Sequence, residues 1–208
     1  KAAGHPVLRA VATDGHRLAR MEMPLPPGGE AMPGIIIPRK AVAEVRKLID
    51  ETNENITVSI STTKARFAVG SIVLTTKLID GTFPDYQRVI PSGNDKRLTV
   101  DKGDFAASVD RVSTISSERG RAVKLSMAEG RMTLSVTNPD SGSATEEIEV
   151  DYEASPLDIG FNSRYLLDMM AQVEGDTAQF VFADSNSPTI VRDPADVGAL
   201  YVIMPMRV

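Results

Sequence analysis

Pro38-Arg39-Lys40-Ala41-Val42-Ala43-Glu44-Val45-Arg46-Lys47-Leu48-Ile49-Asp50 spaces its apolar residues as a helix does, and the residues that follow change rhythm. Ile56, Val58 and Ile60 alternate with polar neighbours, as do Ala65, Phe67 and Val69, and the stretch from Ser71 to Leu78 continues in the same manner. Proline suits a first helical turn, where its missing N–H has no partner to lose. Val42, Val45, Leu48 and Ile49 are expected on one helical face, packed against an antiparallel meander of the strands behind them.

The same order recurs twice. Near Asp101 a second helix is predicted with Phe105, Val109 and Val112 inward. Strands at Val123, Leu125, Met127 and at Met132, Leu134, Val136 follow, turning at Ala128-Glu129-Gly130. The third helix opens at Asn162, whose side chain suits an N-cap, and turns Leu166, Met169, Met170 and Val173 inward. Strands at Gln179 to Phe182, Pro188 to Arg192 and Leu200 to Met204 complete that unit. The helix starts at 38, 101 and 162 lie 63 and 61 residues apart, which points to an α+β fold of repeated helix-plus-antiparallel-sheet half-domains. The segment before Pro38 reads as the remainder of a fourth unit, and a chain that begins with Lys1 is expected to be truncated at its start. Two domains follow, residues 1–91 and 92–208, joined through Pro91-Ser92-Gly93-Asn94-Asp95.

A length of 208 residues, with 42% hydrophobic and 25% charged, is that of a folded globular chain. The absence of Cys and the presence of only His5 and His16 exclude disulfide frameworks and thiolate or His-rich metal cages, so no metal or cofactor is expected. The longest apolar run, Ala199 to Met204, is six residues, far short of the ~20 that span a bilayer. Without a leader-like start or any Cys, a cytoplasmic location is expected. A net charge of −5 argues against a surface basic all over, but not against one basic face.

Five stretches invite functional readings. Val11-Ala12-Thr13-Asp14-Gly15-His16-Arg17-Leu18 is a strand, a tight Asp-Gly turn and a returning strand. An enzyme using Asp14 and His16 is one alternative, but no nucleophile motif accompanies the pair. A turn presenting His16 and Leu18 to a ligand is another, as in a peptide-binding adaptor that does not act on DNA. The loop Gly81 to Pro91 is punctuated by two prolines yet carries Phe83, Tyr86, Val89 and Ile90, and the end of the chain, Tyr201 to Val208, is apolar and Met-rich. Each could be a binding wall or ordinary packing. Arg39, Lys40, Arg46 and Lys47 share one helix face, a candidate strip for phosphates or simply a solvated face. In Thr145 to Glu153, Ile148, Val150 and Tyr152 face one way and Glu147, Glu149, Asp151 and Glu153 the other, which is a wet sheet face or an acidic docking strand.

Val11 to Leu18, Asp80-Gly81-Thr82-Phe83-Pro84-Asp85-Tyr86, Gly160-Phe161-Asn162 with Tyr165, and Tyr201-Val202-Ile203-Met204-Pro205-Met206-Arg207 together resemble the bacterial sliding clamps, the family of the DNA polymerase III beta subunit. The resemblance runs in order along essentially the whole chain. It implies a DNA clamp fold, with the chain covering most of a second domain and all of a third. It also implies a noncatalytic processivity factor that closes as a homodimeric ring around duplex DNA.

Partners implied by the family are the DNA polymerase III core and other polymerases, the clamp loader and mismatch repair proteins. They bind by short linear motifs in a pocket between those two domains. The matching positions are Thr13, Gly15, His16, Arg17, Leu18, Pro84, Arg88, Val89, Asn162, Tyr165, Val202, Met204, Pro205, Met206 and Arg207. Leu18, Pro84, Val89, Val202 and Met204 would form a greasy slot, with His16, Arg88, Asn162 and Arg207 as polar handles at its rim. Asn186 replaces a residue that is often apolar in related clamps, and Pro188 one that is commonly small and polar. Arg39, Lys40, Arg46 and Lys47 would face DNA loosely and without reading sequence. Thr114 and Ile115, with Glu146 and Glu147 nearby, would meet the neighbouring subunit, and Thr114 stands where a larger apolar residue can occur.

Overall fold

The computed structural model describes residues 5–116 and 121–208. In chain order the elements are β1 (Val7–Thr13), β2 (Arg17–Pro24), α1 (Arg39–Asp50), β3 (Thr57–Ile60), β4 (Lys64–Val69) and β5 (Ile72–Lys77). A 3₁₀ turn at Tyr86–Arg88 leads to β6 (Lys96–Asp101), α2 (Lys102–Ser113), β7 (Ala122–Ala128), β8 (Arg131–Asn138) and β9 (Gly142–Glu149). The last elements are β10 (Asp151–Tyr152), β11 (Leu157–Asn162), α3 (Ser163–Met170), β12 (Thr177–Phe182), β13 (Thr189–Asp193) and β14 (Asp196–Ile203). The three helices start where Pro38, Asp101 and Asn162 mark them. Asp101 accepts a hydrogen bond from the Asp104 amide, and Asn162 accepts from those of Arg164 and Tyr165.

Two compact units divide the chain: Lys1–Pro24 with Tyr86–Val208, and Leu25–Asp85. The smaller holds α1 and the antiparallel sheet β3-β4-β5. Ala65, Phe67 and Val69 of β4 are buried there, as alternation predicts. The apolar face of α1 is narrower than expected. Ala41 is buried and Val45 and Leu48 are half-buried, but Val42 (53% exposed) and Ile49 (42%) stand out to solvent. A three-stranded sheet covers only part of a helix's apolar arc, and the small Ala41 marks the line of closest approach.

The larger unit has a seven-stranded sheet in the order β1-β2-β14-β13-β12-β6-β10 and a four-stranded sheet in the order β11-β7-β8-β9. Its main core joins Phe105, Val109 and Val112 of α2, Leu166 and Met170 of α3, Leu125 and Leu134 of the smaller sheet, and Phe180 and Phe182 of the larger. Phe105 meets Phe180 edge-on at 5.3 Å. Alternation then dictates a second apolar face. Along β14, Ala199, Tyr201 and Ile203 enter the main core, so Leu200 and Val202 emerge on the opposite side of the sheet. Val181 of β12 and Ile190 of β13 do the same, and Leu18 of β2, paired with Val202, joins them. The six-residue apolar run thus belongs to a strand buried on both faces. Asp193, 3% exposed, ties the end of β13 to the loop after α3 by accepting hydrogen bonds from the amides of Glu174 (2.6 Å) and Gly175 (3.3 Å).

Candidate functional site

The second apolar cluster is built from stretches far apart in sequence. Leu18, 3% exposed, lies with Val181, Ile190, Leu200 and Val202, and Val11, Tyr86 and Ile90 pack against them. Leu18 and Val202 are therefore a buried floor and not the open slot expected of them. Two saturated faces of neighbouring strands have more to gain from packing on each other than from waiting for a ligand. Val89 (42% exposed) and the half-buried Met204 are the accessible apolar members.

The β1–β2 turn supplies one rim. Gly15 takes φ +86°, a left-handed conformation that favours glycine. Thr13 Oγ1 donates to the Arg17 carbonyl (2.8 Å) and accepts from the Gly15 amide (3.2 Å). Asp14 Oδ1 accepts from the amides of His16 and Arg17, both at 3.0 Å. Partial burial works to raise the Asp14 pKa, but these amide bonds and the Arg17 guanidinium outweigh it and hold the carboxyl below its ordinary value. The His16 carbonyl accepts from the Met204 amide at 2.9 Å, which fastens the turn to the end of the last strand.

Helix α3 supplies the opposite rim. Tyr165 in its first turn stacks on the His16 ring (6.3 Å between centroids) and lies under the Arg17 guanidinium (4.3 Å). Arg17 Nη1 donates to Asp168 at 2.7 Å and Nε to Asp14 at 3.1 Å. Burial pushes the Arg17 pKa down, and the bonds to Asp168 and Asp14 more than compensate, so it is raised. Asn162 is less free than a rim handle should be, because its Oδ1 is committed to capping α3. Beyond Met204, Pro205 and Met206 are half-buried and Arg207 is exposed. Met206 donates to the Gly160 carbonyl at 2.8 Å, so the tail lies along β11. A Cβ at Gly160 would sit 2.7 Å from the Met206 carbonyl oxygen, which is why no side chain fits there.

Thr13, Gly15, His16, Arg17, Leu18, Val202 and Met204 are thus brought to one place with Tyr165, while Arg88 ends the 3₁₀ turn that Tyr86 opens and Val89 follows it. Pro84 belongs to the smaller unit. Asn186 is exposed in a turn whose amides of Asn186 and Ser187 both donate to Asp184 (2.8 Å), and the Pro188 carbonyl accepts from the Asn94 side chain (2.9 Å). Sequence reasoning quoted Gly160 only within a motif and missed Asp168 and the floor residues Val181, Ile190 and Leu200. Only the last three left a trace, as apolar residues inside strand patterns.

The other two patches are simpler. Arg39, Lys40, Arg46 and Lys47 are all exposed on α1, with Arg46 3.7 Å from Asp50 and Lys47 3.2 Å from Glu44. Thr114 caps the end of α2, while half-buried Ile115 packs on the main core. Glu146 faces inward beside Ala144 and Ile148 and is gripped by Arg111 Nε of α2 at 3.0 Å; Glu147, on the outer face, is 3.5 Å from Arg131. Both glutamates lie on β9, an edge strand. Among the described residues no group of three or more His, Asp or Glu is placed to hold a metal ion, and no helix is long and apolar enough to cross a membrane.

Residues 3–85 match the family model for the DNA polymerase III beta subunit, central domain, and residues 87–207 the model for its C-terminal domain. The chain belongs to the beta sliding clamp family. It is 55% identical over 205 residues to the beta sliding clamp of Caulobacter vibrioides, covering 99% of this chain and 55% of that protein. With the Escherichia coli K12 beta sliding clamp it shares 37% over 202 residues, covering 96% and 54%. The solved sliding clamp of Bartonella birtlesii, bound to griselimycin, superposes with a TM-score of 0.96 at 53% identity over all of this chain and 56% of that one. A Pseudomonas aeruginosa clamp structure with ligand gives 0.92 at 35% identity, over 97% and 56%. The clamp chain described here therefore spans about half the length of these relatives.

Proposed function

We propose that this chain is the larger part of a noncatalytic sliding clamp subunit, a DNA polymerase processivity factor that in full-length form encircles duplex DNA as a homodimeric ring. On this reading residues 1–91 belong to the central domain and 92–208 are the C-terminal domain, acting in the cytoplasm. DNA polymerase III core, other polymerases, the clamp loader and mismatch repair proteins dock through short linear motifs at the Leu18–Met204 site. What supports this, beyond family membership, is one observation: the His16 turn, the Tyr86 loop and the Met204 end converge over a common apolar floor. Exposed Val89 and half-buried Met204 receive the Leu and Phe side chains of a motif, with His16, Arg88 and Arg207 at the rim. Arg39, Lys40, Arg46 and Lys47 track phosphates without reading bases. The edge strand β9, with Thr114, Ile115, Glu146 and Glu147, meets the next subunit.

The test is binding of a fluorescent Gln-Leu-x-Leu-Phe peptide, followed by anisotropy. Met204→Ala removes an accessible anchor and is expected to cost on the order of 2 kcal/mol. Unchanged affinity in both Met204→Ala and Leu18→Ala refutes the site assignment.

A further inference from the structure

Arg17 is the residue through which the two rims of the site are joined, and it is joined from both sides by carboxylates. Asp14, from its own turn, and Asp168, from α3, lie 3.1 and 2.7 Å from its guanidinium nitrogens. Two carboxylates on one cation leave a local charge of −1, so the cluster does not offer a free positive charge to a ligand. What it offers is a fixed surface: the guanidinium sits over the Tyr165 ring, 4.3 Å from its centre, and Tyr165 stacks on His16. Tyr165 and Asp168 are three residues apart on α3 and so share one face of the helix. Asp168 thus holds the guanidinium against the ring one turn away.

We propose that Asp168 is a positioning residue of the docking site, fixing Tyr165 and His16 through Arg17 in the geometry that an incoming peptide meets. The inference rests on the peptide-docking reading above. Its physical basis is preorganisation. Without Asp168 the Arg17 guanidinium is held from one side only, by Asp14, and a peptide that needs the stack must order its free end again on binding. The ion pair stays in reach of solvent, with Arg17 half-buried and Asp168 exposed, so removing it leaves the folded state nearly as stable as before. Affinity and stability are expected to separate.

Anisotropy with the Gln-Leu-x-Leu-Phe peptide on the full 208-residue chain tests this with Asp168→Ala, the near-isosteric Asp168→Asn and Asp168→Glu. Asp168→Ala and Asp168→Asn are expected to weaken binding about three- to ten-fold with unfolding midpoints close to that of the unaltered chain. Asp168→Glu restores most of the affinity, and Asp168→Ala adds no further loss in an Arg17→Ala background. Full affinity in Asp168→Asn, or additive losses in the double variant, overturns the inference while the docking reading stands. Failure of the unaltered chain to bind the peptide overturns both.

Discussion

Replacing Gly160 by alanine perturbs the tail of the chain from beneath. The new Cβ overlaps Val208 Cγ1 and meets the Met206 carbonyl oxygen at 2.7 Å. Val208 is the last residue and 62% exposed, so its side chain swings away at little cost. The Met206 carbonyl is backbone and has no such freedom. Non-bonded carbon–oxygen contacts sit at about 3.3 Å or beyond, so it must retreat by about 0.6 Å. That movement stretches the bond from the Met206 amide to the Gly160 carbonyl from 2.8 Å to as much as about 3.4 Å, where little of its strength remains. One lost backbone hydrogen bond is worth ~1 kcal/mol and modest overpacking another 1 kcal/mol or so, giving ~2 kcal/mol against the docked tail. The main core is untouched, so the penalty falls on the segment that carries Met206 and Arg207. Hydrogen exchange resolved at the Met206 amide is expected to accelerate by more than tenfold, with peptide affinity falling in parallel and the global unfolding midpoint little changed. Wild-type protection of the Met206 amide in Gly160→Ala would refute the reasoning.

Leu18→Ala empties part of the floor and is expected to destabilise the chain by about 3 kcal/mol in urea denaturation, because the buried site cannot refill. Asp193 is buried, which works to raise its pKa, yet the amides of Glu174, Ala195, Gly175 and Asp196 hold it below the ordinary carboxylate value. A depressed folded pKa contributes stability above about pH 4 that is lost as pH falls through the folded value. Asp193→Asn is therefore expected to cost about 2 kcal/mol at pH 7 and to flatten the acid limb of a stability–pH curve. Charge reversal at Arg46 and Lys47 is expected to weaken binding to a duplex oligonucleotide at low salt and to reduce the salt slope by about one for each lost phosphate contact.

Local chemistry made much of this molecule legible before any coordinates. Asp101 and Asn162 announce their helices because an N-terminal turn has unsatisfied amides that their side chains accept from, and Pro38 announces its own by a fixed φ without any side-chain bond. Asp14-Gly15 and Glu129-Gly130 announce hairpins because Gly15 and Gly130 adopt positive φ. The convergence of the site was expected only through the clamp resemblance, and its floor was misjudged. Alternation tells which residues share a face, but not what covers it, so Leu18 and Val202 read as open lining, and Val42 and Ile49 as core. Contacts such as Arg17–Asp168, 151 residues apart, and Arg111–Glu146 left no local signal. Asn162 shows the opposite error: one residue type served two expectations, cap and ligand handle, and the helix end claims its oxygen.

The pairing of β2 with β14 has a consequence for how such a chain comes into being. Leu18 is made well before Leu200 and Val202, its partners in the apolar floor, with all of the smaller unit made in between. Contacts this remote form late and at a high entropic cost. Until residues 200–202 have been added, Leu18 has Val181 and Ile190 for company but lacks its strand partner Val202, so the floor closes only when both distant segments exist.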